Sequence, residues 1–436
     1  MPQQSHMIRM LYTTYYMAEG FLHPFLPEYY ASLGYGGQVI GLLGSITPFT
    51  TFLVGPFWGV LADSLNAPFT ILYVTILITL LGQLLVGVVN DPYLVMGLVC
   101  VKSFFGAPAR SIIDSLVLQK LQDRSQFGKL RLWGLIGSGL GTGIAGYFLE
   151  GVPVPMNPSV LPTTMIDVLH AFFQSLAGYR LLFFVHILLH VPVLIVLRFL
   201  QVDRRNDDVA SEKKLNGEAV VLVPKIQNHT SLDVLLSVAK NQDAVVFFIV
   251  VYAMGIAGGI ADNFTYARFR EVGANGSHMG ASRVFSSGAG AIMFWYSGPL
   301  ESLLGPDGVT FLCLITVSLR FCCYAIMDSP TYGYIGETIR GFTFGCFWST
   351  ATVYASEIAP EGARATMLLL LNGSYNGIGR STGAIVGGEM QSSIGTAMIF
   401  YYGSAVFFIL GCVFAIYTTK FSSRRQREVT RKEKIQ

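Results

Sequence analysis

HPFLPEYYASLGYGGQVIGLLGSITPFTTFLVGPFWGVLAD, residues 23–63, decides the fold. It reads as the outer half of one membrane helix, a short Gly-rich turn, and a second apolar helix that closes on Asp63. Pro24, Pro27, Pro48 and Pro56 punctuate it. In water each would remove a helical hydrogen bond and clash with the preceding turn. Inside a bilayer, neighbouring helices re-satisfy the freed backbone groups, so a proline-bearing apolar helix of this length belongs there.

The rest of the composition agrees. Of 436 residues, 52% are hydrophobic and 13% charged, with a net charge of +3 and a mean hydropathy of +0.53. Soluble domains carry about 25% charged residues, so half the expected charge is missing. The six cysteines (Cys100, Cys313, Cys322, Cys323, Cys346 and Cys412) all lie in apolar stretches. Their spacing fits neither a metal site nor a disulfide framework, and they read as small packing residues. The first apolar run is long, Tyr-rich and interrupted by Glu19, which is unlike a cleavable signal peptide; it is expected to stay as the first span.

A span needs about 20 mostly apolar residues. By that rule there are twelve, at 9–32, 38–62, 69–89, 93–118, 128–149, 179–200, 243–267, 279–298, 308–327, 331–356, 365–388 and 394–419. Basic residues concentrate between spans four and five (Lys120, Arg124, Lys129, Arg131), between six and seven (Arg204, Arg205, Lys213, Lys214, Lys225, Lys240), and in the tail from Arg424 to Lys434. Basic loops stay in the cytoplasm, so both termini are expected inside. Arg268, Arg270 and Arg283, around the turn between spans seven and eight, run against that majority. The expected division is a six-span bundle at 1–200, a polar cytoplasmic linker at 201–240, a second bundle at 241–420 and a basic tail at 421–436. The tail reads as a topology determinant and lipid contact, not a nucleic-acid site. Asn228 and Asn275 head glycosylation sequons; only Asn275 falls on the expected outer side, in a short turn.

The halves resemble each other weakly, as parallel repeats do. Gly59-x-Leu61-x-Asp63 closes span two, and Gly298-Pro299-Leu300-Glu301-Ser302 occupies the same place in span eight. Arg131 opens span five ahead of Gly134, Gly137, Gly139 and Gly141; Arg364 opens span eleven ahead of Gly373, Gly377, Gly379 and Gly383. With Pro24-Phe25-Leu26-Pro27, Pro56-Phe57-Trp58-Gly59-Val60-Leu61-Ala62-Asp63, Arg131-Leu132-Trp133-Gly134, Arg340-Gly341-Phe342-Thr343-Phe344-Gly345 and Gly379-Arg380-Ser381-Thr382-Gly383-Ala384, the chain resembles the major facilitator superfamily over nearly its whole length. More narrowly it is similar to the branch that holds lactose-permease-like symporters and major facilitator superfamily domain-containing protein six. The resemblance implies an all-α membrane protein with twelve transmembrane helices in two pseudo-symmetric six-helix bundles. It also implies a cytoplasmic gate motif at Gly59, Asp63, Arg131 and Arg364. The loop after Asp63, Ser64-Leu65-Asn66-Ala67-Pro68, departs from the family in carrying no basic residue.

Function is argued from charges within spans. Glu19, Lys102, Arg110, Asp114, Asp262, Arg320, Glu337, Arg340 and Arg380 lie well inside. Facing lipid, each costs about 2.5–3.5 kcal/mol and the set roughly 20–30 kcal/mol. They are therefore expected to face protein or a wet cavity. Glu19 and His23 share a helical face at i, i+4, as do Arg110 with Asp114 and Asp262 with Tyr266, while Glu337 and Arg340 are three apart. Together with Arg380 they are the expected substrate- or proton-binding residues. For Arg110/Asp114 and Glu337/Arg340 a fixed structural ion pair is the standing alternative; Lys102 and Arg320 read as structural. Tyr12, Tyr15 and Tyr16 line one helical face, by packing or as cavity wall. There is no Walker loop and no zinc-ligand spacing, so no enzyme, cofactor or metal is expected. The expected function is proton-coupled symport of a small polar solute by a monomer working through alternating access, in contact with membrane lipid; a sugar or nucleoside follows from resemblance alone. The rival is a non-transporting membrane receptor or scaffold on the same fold.

Overall fold

The structure, a computed structural model, describes residues 2–65, 67–120, 127–150, 178–215, 238–360 and 363–420. The Asn228 sequon, Arg124, most of the linker's second half and the basic tail lie outside the described residues, as does the side chain of Asp63.

Among the described residues the architecture is all helix. Span one is α1 (Pro2–Leu22), a 3-10 turn (His23–Phe25) and α2 (Leu26–Ser32). The break falls where Pro24 and Pro27 deny two backbone donors to the helix. Spans two and three are α3 (Gly37–Ser64) and α4 (Pro68–Val86). Span four is α5 (Pro92–Gly106) followed by α6 (Ala109–Lys120), interrupted just before Pro108. Next come α7 (Phe127–Glu150) and α8 (Tyr179–Leu215), then α9 (Gln242–Glu271) and α10 (Gly276–Ala325). Gly305, at φ 69° and ψ 166°, divides α10 into spans eight and nine. That conformation suits glycine because no Cβ opposes it. Span ten is α11 (Pro330–Ile358). Span eleven is α12 (Arg364–Asn372), a π-helical turn (Gly373–Gly379) and α13 (Arg380–Ile394); span twelve is α14 (Thr396–Lys420).

Eight helical stretches among the described residues are long and apolar enough to cross a membrane, and α10 counts once among them although it contains two spans. Spans one, ten and eleven miss that standard. They are the ones that carry Glu19, Glu337 with Arg340, and Arg380. The helix of span six runs on past residue 200 to Leu215.

The chain folds into two compact units. The first comprises residues 1–34, 53–225 and 274–284, and the second 35–52, 226–273 and 285–436. In the first, α1 lies along α7 and α8. Close approach is possible because α7 presents Gly137 and Gly141 to α1; a Cβ at Gly141 would stand 3.0 Å from the Met17 carbonyl carbon. Thr142 Oγ1 donates to the Gly20 carbonyl at 2.7 Å across the same seam. Small residues and side-chain hydrogen bonds are what hold helices together when lipid removes the hydrophobic advantage of packing. A core of Leu11, Tyr12, Trp58, Leu72, Ile113, Val196 and Leu197 fills the remainder. In the second unit α9 lies along α13 and the π-helical turn, and Phe321 packs edge-on against Phe400 and Phe407.

Candidate functional site

Among the described residues, both units hold clusters of ionisable side chains. In the first, the helical register of α1 sets Glu19 one turn before His23, and Glu19 Oε2 lies 3.0 Å from His23 Nδ1. Span six adds two residues that the sequence reading passed over. His186 and His190, themselves four apart on α8, stack ring to ring at 4.6 Å. His186 Nδ1 donates to the Ala18 carbonyl at 2.8 Å, and His190 Nδ1 to the His186 carbonyl at 2.9 Å. A carbonyl only accepts, so Nδ1 carries a proton in both rings, and Nε2 is the nitrogen left to gain or lose one. That of His190 points to Glu19 Oε1, 4.0 Å away. Both imidazoles are buried, whereas the Glu19 and His23 side chains are 20% and 41% exposed. The signal was available: two histidines at i, i+4 on an otherwise apolar helix.

Glu19, His186 and His190 bring three donor atoms within 4.8 Å of one another. Carboxylate and imidazole are ligand types of zinc sites as well as members of intramembrane proton relays.

Arg110 and Asp114 do not pair as their spacing suggested. Tyr12 donates its hydroxyl to Asp114 Oδ1 at 2.7 Å, and Arg131 on α7 stands 3.8 Å from Asp114 Oδ2. Arg110 lies over the Tyr16 ring at 5.4 Å. The α6 side chains simply point across to α1 and α7 rather than along their own helix. Lys102 is buried and donates to Gln83 Oε1 at 2.6 Å, a structural use. Of the gate motif, Gly59 is exposed with open space around it, Arg364 is exposed, and Arg131 is engaged with Asp114.

The second unit carries a continuous network. Asp262 on α9 receives Arg340 from α11 at 2.6 Å and Arg380 from the start of α13 at 3.3 Å. Arg340 also reaches Glu337 at 3.2 Å. Glu337 accepts the Tyr324 hydroxyl at 2.6 Å, and Arg320 donates to that hydroxyl at 3.0 Å while lying 3.9 Å from Glu337 itself. Exposure grades along the chain. Glu337 and Arg320 are buried, but Asp262 is 27% and Arg380 30% exposed. Tyr266 is buried against Phe269, turned toward the aromatic core. Arg320, read from sequence as structural, proves to be part of this network.

The family follows from comparison. The MFS_1 like family matches residues 6–402. The chain belongs to that family. A maltose permease of Geobacillus stearothermophilus is 21% identical over 398 residues, covering 90% of this chain and 89% of the permease. A major facilitator superfamily domain-containing protein 6-like protein of Danio rerio is 22% identical over 190 residues, 43% of this chain and 35% of that one. The crystal structure of the nucleoside transporter NupG superposes with a TM-score of 0.72 at 16% identity, over 96% of this chain and 99% of that one. A bacterial homologue of the human lysosomal transporter Spinster gives 0.63 at 13% identity, over 94% and 95%. The MFS fold with twelve transmembrane helices is therefore the fold of this chain, an integral multi-pass membrane protein.

Proposed function

We propose that this MFS_1 like protein is a secondary transporter that couples the movement of a small polar solute to a proton by alternating access, with both termini in the cytoplasm. The family and its transporter relatives support a transporter rather than an enzyme. The single observation behind proton coupling is the Glu19 cluster. A partly exposed carboxylate sits among three imidazoles, two of which hold Nδ1 on a backbone carbonyl and leave Nε2 to exchange a proton. Imidazole is the side chain that ordinarily exchanges protons near neutrality, and ionisable groups within a membrane mark proton relays. Tyr15 also borders the cluster, its ring 6.2 Å from that of His190.

Solute uptake into proteoliposomes, with and without an inward proton gradient, tests this. The wild-type protein accumulates its solute only with the gradient. Glu19→Gln abolishes accumulation but retains counterflow exchange. Undiminished accumulation by Glu19→Gln removes that carboxylate from coupling, and a partner binding where no solute moves favours a receptor.

A further inference from the structure

Two buried imidazoles in the first unit each keep one nitrogen without a partner. His186 and His190 are 2% and 4% exposed. A histidine that only packs between helices bonds both ring nitrogens, because an unbonded buried polar atom is costly. Here each Nδ1 is tied to a carbonyl, that of Ala18 at 2.8 Å and that of His186 at 2.9 Å. Among the described residues, no hydrogen bond reaches either Nε2. Glu19 Oε1 stands 4.0 Å from that of His190, beyond hydrogen-bond distance.

These atoms are arranged as metal ligands are. Histidines at i, i+4 on one helix present both rings on one face, the spacing of helical zinc-binding pairs. In α8 the run is His186-Ile187-Leu188-Leu189-His190. A metal-bound histidine almost always gives its other ring N–H to a carbonyl or carboxylate, which fixes the ring and aims the free nitrogen. Both rings have that support from the backbone. Glu19 on α1 adds an oxygen, and the three donor atoms lie within 4.8 Å of one another. Its other oxygen meets His23 Nδ1 at 3.0 Å, so the carboxylate has an outer partner as well. The Glu19 and His23 side chains are partly exposed, which gives an ion a way in.

We infer that Glu19, His186 and His190 form a binding site for one divalent transition-metal ion of the zinc class. Two imidazoles and a carboxylate suit zinc and its neighbours, whereas magnesium and calcium take oxygen ligands. Three protein ligands leave a fourth position for water, the composition of an open zinc site. Zinc holds such donors at about 2.0–2.2 Å, so binding draws the Glu19 carboxylate toward two rings that backbone carbonyls hold in place. An ion there engages the carboxylate assigned above to coupling, and so blocks transport. The block rests on the transport reading; the binding does not.

The test is equilibrium dialysis of the purified full-length protein in detergent, stripped of metal and of any affinity tag. The probe is Zn²⁺ at about 1–100 μM, a range around micromolar affinity, with Mg²⁺ in parallel. Wild type is expected to retain about one Zn²⁺ per chain and no Mg²⁺. Glu19→Gln, His186→Gln and His190→Gln are each expected to weaken zinc binding by at least about tenfold. His6→Gln and His278→Gln, which change histidines elsewhere in the chain, are expected to leave it unaltered. Where a variant at a buried histidine does not fold, Glu19→Gln, at the partly exposed position, decides. Wild type that retains no zinc, equal retention of Mg²⁺, or undiminished zinc binding by Glu19→Gln overturns the inference. Loss of the ion in His6→Gln or His278→Gln does so too. Adding Zn²⁺ to the proteoliposome assay separates the two readings. Gradient-driven uptake by a protein that binds no zinc sinks this inference and spares the transporter. Zinc held by these residues while uptake continues undiminished keeps the site and removes Glu19 from coupling.

Discussion

At Glu337 both carboxylate oxygens are committed, one to the Tyr324 hydroxyl and one to Arg340, and the side chain is 1% exposed. Arg320 beneath it is 6% exposed. Removing one partner from such a pair leaves a buried charge uncompensated and costs about 3–5 kcal/mol. Glu337→Leu is therefore expected to destabilise the protein by that order in denaturant unfolding, and Glu337→Leu with Arg320→Met to recover most of it. A loss below about 1 kcal/mol for the single variant would mean the pair is not holding the fold. Much of this site was legible in the sequence. Glu19/His23 and Glu337/Arg340 meet because one helix's register forces it. The partners of Asp114 and Asp262 were not legible, because Arg131, Arg340 and Arg380 arrive from other helices and no local spacing encodes that. His186 and His190 were visible but passed over, since two histidines in an apolar run carry no formal charge to mark them.

At the level of the helix, glycine has two different meanings in this chain. Gly141 meets the backbone of α1, whereas Gly59 has nothing within 4 Å of where its Cβ would be. Gly141→Leu is expected to cost about 1–3 kcal/mol by forcing α1 and α7 apart, and Gly59→Ala under about 0.5 kcal/mol or a slight gain from helix propensity. Thermal unfolding of the two variants side by side checks this; equal effects would remove the packing argument. The break at 23–25 could be read from Pro24 and Pro27, since proline acts locally. The π-helical turn at Gly373–Gly379 could not. Gly373, Gly377 and Gly379 weaken the helix there without specifying a π turn, and Gly373 and Gly377 face the Phe52 side chain, a tertiary demand. Arg268, which by charge count runs against the expected topology, donates to the carbonyls of Tyr324 at 3.0 Å and of Met327. A cation at a helix C-terminus has a local reason to be there.

Taken whole, the chain is two helical units, each with a cluster of ionisable groups that lipid alone would not tolerate. Twelve spans and a repeat could be read from hydropathy and glycine spacing. The grouping of residues 35–52 with the second unit and 274–284 with the first could not. It follows from small-residue seams distant in sequence, such as Gly388 against Gly37, where a Cβ would come within 2.5 Å of the Gly37 carbonyl oxygen. The claim joining these observations is that the Glu19 cluster carries a proton whenever solute crosses. Its most direct measurement is the interior pH of proteoliposomes, with no gradient imposed, as an inwardly directed solute gradient is applied. The account predicts saturable interior acidification that Glu19→Gln removes. Solute entry at an unchanged interior pH would contradict it.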